Sequence, residues 1–217
     1  MGVAEFETEV PFDPGKVPIA AVLARTPHGN LHAGLLYRGA EGGRHALHLG
    51  WQDNLQETWP LAVLWVTPDD EPELLNLAAS YCRLVWATFV ETRKFPYALM
   101  DEGVSLDEKG GIVLADGAHG LTCATIIIAI FARAGIELVV RDTWPIRKDL
   151  DHKFLELAAR FTASWHLELL KSEVEAGVKR VHPDEVVAAC TCVLPAEFTQ
   201  ARSAADALVA KLDAATI

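Results

Sequence analysis

The sequence predicts an α+β fold, a small antiparallel sheet packed against a central buried helix that carries a cysteine at its start, with additional helices toward the C-terminus. Three observations carry this. Leu31 to Arg38 and Arg44 to Trp51 both alternate in period two, and the residues between them, Gly39-Ala40-Glu41-Gly42-Gly43, have hairpin-loop chemistry. The run after Thr122 (Ile126, Ile127, Ile128, Ile130, Phe131) leaves no polar face before Arg133, as in a helix buried all round. Beyond Asp149 the chain reads as successive helical segments. Strands followed by helices, without βαβ alternation, make an α+β class.

In chain order, Pro11, Pro14 and Pro18 surround a lead-in that ends in one short strand, Ile19 to Leu23. The hairpin follows, then a third strand over Leu61 to Val66 before Pro68 and the acidic Asp69-Asp70-Glu71, a charge cluster suited to a helix N-terminus. Leu74, Leu77, Ala78, Tyr81, Cys82, Val85 and Phe89 recur at helical spacing, predicting a helix from Glu73 to about Lys94 that stops before Pro96. A polar connection runs from Asp101 to Gly120, and the buried helix from Thr122 stops at Gly135. Ile136 to Arg141 reads as a further strand, and Asp149 to about Val178 as one long or broken helix. Pro183 to Cys190 and the alanine-rich Ala196 to Ala215 complete the chain, the last as a peripheral helix.

A chain of 217 residues, 51% hydrophobic, can bury a sizeable core. We expect one domain over 1–217, with a core at about 19–141 and a helical C-terminal extension at about 149–217. The net charge of −11 and the lack of a Lys/Arg cluster argue against nucleic acid as a partner. Leu121 to Ala132, the longest apolar stretch, has about half of the roughly 20 residues a bilayer span requires, so no membrane span is expected. The N-terminal residues lack the basic start and apolar stretch of a signal peptide, which predicts a cytoplasmic protein or one exported by a route without a signal peptide. Cys82, Cys123, Cys190 and Cys192 do not form a disulfide framework and are expected as reduced thiols.

Among them Cys123, in Gly120-Leu121-Thr122-Cys123-Ala124-Thr125, has the address of a nucleophile. Unpaired N–H groups at a helix N-terminus stabilise a thiolate, especially beside an imidazole. The approach Gly117-Ala118-His119-Gly120 would expose backbone N–H groups, making His119 and Gly120 candidate substrate-binding residues. Alternatively, Cys123 is a small apolar residue in a buried helix. The hairpin bears on this choice. If the loop sets Arg38 opposite Arg44, then Gly34 faces His48 and His32 faces Gly50, and both histidines share one face with Gly34, Ala46 and Gly50. Small residues there leave room for the helix bearing Cys123. His32 would act as general base, and His48 would fix its tautomer. A register slip of one residue would bring in His45 instead. Trp51 is a candidate wall of the substrate cleft or a core residue, as are Trp59 and Trp65 for the core.

This order, a His-x-Gly strand, a second strand carrying a histidine, then a cysteine opening a helix, resembles the circularly permuted papain-like superfamily. That group includes lecithin:retinol acyltransferase-like proteins and relatives of bacterial cell-wall peptidases. Leu31-His32-Ala33-Gly34-Leu35-Leu36-Tyr37 resembles its first histidine strand and Leu121-Thr122-Cys123-Ala124-Thr125 its nucleophile segment. The likeness covers roughly residues 30 to 140. It implies a Cys–His mechanism through a thioester, without a cofactor, on a peptide, peptidoglycan or ubiquitin-like substrate. Thr122 stands where the acyltransferase branch usually has Asn, and no hydrophobic anchor is present. Three functions follow as expectations: a cysteine peptidase or amidase, an acyltransferase or thioesterase using the same residues, or an inactive scaffold that binds a partner. Cys190-Thr191-Cys192 near His182 raises the possibility of a structural zinc, but a fourth ligand is not evident and no metal is expected.

Overall fold

The computed structural model describes residues 2, 4–6, 9–58 and 63–215. Its main sheet has six strands: β1 (Ala4–Phe6), β2 (Ile19–Arg25), β3 (Leu31–Arg38), β4 (Arg44–Leu49), β5 (Leu55–Gln56) and β6 (Leu64–Val66). The order is β1-β6-β2-β3-β4-β5, and every neighbouring pair is antiparallel. The protein is α+β, with helices α1 (Pro72–Thr92), α2 (Thr125–Arg133), α3 (Lys148–Ala158), α4 (Ser164–Ala176), α5 (Pro183–Ala189) and α6 (Phe198–Ala215). Trp59 and the first residues of the strand expected from Leu61 lie outside the described residues.

The central hairpin has the register its loop dictates: Arg38 pairs with Arg44, Tyr37 with His45, Leu36 with Ala46 and Leu35 with Leu47. Alternation then divides the sheet into two faces. Ile19, Ala21, Leu23, Ala33, Leu35, Tyr37, Leu47 and Leu49 join the main core together with residues of all six helices. Ala20, Val22, Ala24, Leu36, Ala46 and Trp65 form a smaller core on the other face, where Phe12 and Val17 of the lead-in cover them.

Helix α1 begins at Pro72, whose fixed φ and missing N–H suit a first helical position, and ends at Arg93 in the left-handed region. Its buried Leu75, Ala78, Ala79, Cys82, Val85 and Phe89 form the stripe the sequence predicts. Helix α2 begins later than expected. Thr122 O accepts the Ile126 N–H at 3.1 Å, so helical bonding starts at Thr122, but the regular helix runs from Thr125.

Four expectations are corrected. Ile136 to Arg141 is not a strand of the sheet: Ile136, Leu138 and Val139 are buried, but the segment makes one parallel bridge, Val139 with Ala196. An alternating pattern without a long partner yields extended chain and no ladder. The connection from Asp101 to Gly120 holds a separate hairpin, β7 (Val104–Leu106) with β8 (Ile112–Leu114). Helix α6 is not peripheral, since Ala201, Ala205, Leu208 and Leu212 are buried in the main core. Finally, the residues of α2 join the core of the odd-numbered face, so α2 does not lie on the small-residue face of the hairpin. The segment read as one long or broken helix is broken, into α3 and α4. Among the described residues, no helix is long and apolar enough to cross a membrane.

Candidate active site

The two hairpin histidines meet. His32 on β3 and His48 on β4 fall on the same face by strand parity, with His32 Nε2 3.0 Å from His48 Nδ1 and their rings edge to face at 87°. His48 Nε2 lies 2.9 Å from the Thr58 carbonyl oxygen. A carbonyl only accepts, so His48 carries its proton on Nε2 and presents Nδ1 as an acceptor. His32 must then donate from its own Nε2. The chain of bonds thus fixes His32 as the tautomer whose basic nitrogen is Nδ1.

This relay opens into a cavity of about 630 Å³ that Cys123 also lines. The opening has a cause in the sheet. The ladder between β3 and β4 ends at Leu35 and Leu47, after which β4 pairs with β5 through His48–Gln56 and Leu49–Leu55. The first half of β3 is therefore free of β4, and the Ala33 N–H comes near enough to Cys123 to favour its thiolate. Cys123 comes to β3 from the main-core side while the imidazoles project on the other. They share a cavity because the two strands have parted. His45, the alternative to His48, instead binds Glu41 and lies 3.1 Å from Glu57, away from this cavity.

Cys123 is 8% exposed. Burial pushes its thiol up, and the Ala33 N–H, the Arg180 charge and the N–H groups of Ala124 and Cys123 pull it back in part. The helix start therefore does not yield a preformed thiolate, as expected from position alone, because desolvation outweighs it. The histidines are shifted too. Burial lowers His32 to about 4; burial, then the adjacent His32, lower His48 to about 4 against the pull of the Thr58 carbonyl. At neutral pH the site holds a thiol and two neutral imidazoles, and the same burial that keeps His32 neutral makes it a weaker base than a free imidazole.

A stability prediction follows with a definite sign. Both rings have folded values below the unfolded value of about 6.5, so between about pH 6.5 and 4 the unfolded chain binds more protons. Stability is full above that window and falls as pH drops through it, by roughly 3 kcal/mol for each ring. Urea unfolding at pH 7 and pH 4 measures the loss. The double variant His32→Asn, His48→Asn should lose clearly less over the same interval, and an unchanged difference would remove the histidines as its cause.

Part of the remaining wall is aromatic. Trp51 lines the cavity and stacks with Phe154 (5.9 Å between centroids) and Phe161 (6.0 Å), and it meets Tyr97 at 5.2 Å. His119 and Gly120 are not among the lining residues. His119 Nδ1 is 2.7 Å from Glu173 Oε1, a buried carboxylate that also accepts the Leu99 N–H at 2.8 Å. A Cβ at Gly120 would sit 2.5 Å from the Pro96 oxygen, so glycine permits the close passage of two chain segments there. Both residues thus brace the segment that delivers Cys123.

The sequence reading missed Arg180, His182, Phe154 and Phe161, which line the cavity from the helical C-terminal part. A signal was available for His182: His-Pro-Asp-Glu is a capping sequence, and His182 does close a capping box with Glu185 at the start of α5. Nothing local marks Arg180. Cys190 stands at the opposite end of α5 from His182, and the Cys190 and Cys192 thiols donate to the Val186 and Ala188 carbonyls. Compared with family models, curated proteins and solved structures, the chain shows no match to any of them.

Proposed function

We propose that this protein is a cysteine hydrolase of the permuted papain-like kind, cleaving an amide bond through a thioester on Cys123. The Thr58–His48–His32 relay beside a cavity that Cys123 lines is the observation that carries this reading. His32 Nδ1 takes the thiol proton as the sulfur attacks the substrate carbonyl, and His48 Nδ1 holds the Nε2–H of the resulting imidazolium. That imidazolium then protonates the leaving amine, and the same nitrogen activates the water that cleaves the thioester. The backbone N–H groups of Ala33, Cys123 and Ala124, which favour the thiolate, are the candidates to hold the oxyanion that develops beside it. Peptides and peptidoglycan fragments are the substrates first to be tried, with an apolar group for the cavity.

A second reading, acyltransferase or thioesterase on the same residues, is favoured by the stacked walls Trp51, Phe154 and Phe161, which would take an acyl chain. One experiment addresses both. Intact-mass measurement after rapid quenching with an N-acyl anilide and with the corresponding acyl thioester should show an acyl adduct, mapped by peptide digestion to Cys123. Adduct from the anilide supports the amidase, and adduct from the thioester alone supports the second reading. Turnover with the adduct elsewhere, or no adduct from either, would leave the inactive scaffold in front.

A further inference from the structure

Arg180 is unusual for a buried cation. Its side chain is 11% exposed, and the one acid its guanidinium meets among the described residues is Asp151, at the long edge of hydrogen-bond range. Nε is buried without a partner, and Nη1 makes one long charge contact, 3.5 Å from Asp151 Oδ1, an oxygen that also lacks a hydrogen bond. The Phe154 ring lies 3.9 Å from its central carbon and holds the plane in place. A guanidinium offers five N–H donors in a flat fork, and leaving them unused out of water is costly.

Two residues on, His182 has the same deficiency. Its ring takes the Glu185 N–H in the capping box, and its Nε2 is buried without a partner. The nitrogen that accepts is therefore Nδ1, and Nε2 carries the proton. Arg180 and His182 line the same cavity as Cys123. The nearest acid on the wall, Asp184, is committed to Arg202 at 2.9 Å. The cavity wall thus carries the guanidinium of Arg180, held to Asp151 only by a long contact, and the ring of His182, with Lys153 and aromatic side chains beside them.

We propose that Arg180 and His182 form a carboxylate-binding subsite, so that the substrate is an amide bearing a free carboxylate close to an apolar or aromatic group. A flat, singly charged anion matches the fork and the one extra donor. A dianion would face Asp184 on the same wall and share Arg180 with Asp151, which leaves less positive charge to balance it. As a statement about substrates the inference rests on the hydrolase reading. As a statement about binding it does not.

Titration calorimetry of the full chain with benzoate, benzamide and phenyl phosphate tests it. Benzoate should bind at least about tenfold more tightly than benzamide, the difference a charge-assisted pair of bonds makes. The double variant Arg180→Met, Asp151→Asn, which removes both charges together, should lose that preference, whereas Asp151→Asn alone should keep it. Equal or absent binding of benzoate and benzamide to the natural chain overturns the subsite whether or not the variants fold. So does a preference that survives in the folded double variant, and tighter binding of phenyl phosphate overturns the carboxylate class. Carboxylate preference without a thioester on Cys123 would end the hydrolase reading and keep the binding site. A thioester without carboxylate preference would do the reverse.

Discussion

Cys123→Ala should abolish amide turnover, lowering kcat/KM by at least about 10³-fold, because no other group in the cavity can form the thioester. The same change should cost little stability. It removes one sulfur from a small buried site, a loss of about 1 kcal/mol, read as a modest shift in urea midpoint. Cys82→Ala and Cys190→Ala supply the contrast. Both thiols are buried and pushed up by desolvation, Cys190 to about 12, and neither lines the cavity, so their loss should leave turnover within about twofold while costing similar stability. The decisive comparison is therefore among cysteines of similar burial. If Cys123→Ala retains activity, the nucleophile is misassigned. If all three lose it alike, Cys123 is structural and the loss reflects unfolding, which the urea curves would report.

The part of the site that could be read from sequence is the part that strand parity determines. A five-residue loop with three glycines admits few geometries, and once Arg38 faces Arg44, parity alone assigns His32 and His48 to one face. The route by which Cys123 joins them could not be read this way. It depends on the β3–β4 ladder ending at Leu35 and Leu47, and on β5, only Leu55–Gln56, taking the far edge of β4, neither of which leaves a local pattern. The apolar run after Thr122 announces a buried helix but is silent on which face of the sheet buries it. The β7–β8 hairpin did carry a signal, two three-residue runs around Gly110-Gly111. Gly110 is in the left-handed region, and a Cβ there would lie 2.5 Å from the backbone of α1. Arg180 has no such signature. Its importance is a matter of missing partners, which becomes visible only when the surroundings are assembled.

Those surroundings hang on one carboxylate. Glu185 is fully buried on α5 and accepts from Arg147 through both terminal nitrogens, Nη2 at 2.8 Å, as well as from the His182 N–H at 2.9 Å and Trp144 Nε1 at 3.2 Å, with Arg202 Nη1 at 3.4 Å. Burial alone would raise its carboxyl, but the Arg147 bonds, the His182 N–H and the surrounding charge hold it well below the usual carboxylate range. Arg147 in turn donates to the Arg180 carbonyl at 2.7 Å. Glu185→Ala should therefore destabilise the protein by about 3–5 kcal/mol, the cost of leaving a buried guanidinium without its counter-charge. Urea denaturation measures it. Glu185→Leu combined with Arg147→Met should cost less than Glu185→Ala alone, since the deficit comes from the orphaned charge more than from lost contacts. A single-variant cost under about 1 kcal/mol would show that the cluster is not a keystone of the fold. Because the same carboxylate fixes the His182 backbone and, through Arg147, that of Arg180, any folded Glu185 variant should also lose the benzoate preference. The loss would occur with Cys123, His32 and His48 untouched, which separates the support of the cavity wall from the chemistry at its base.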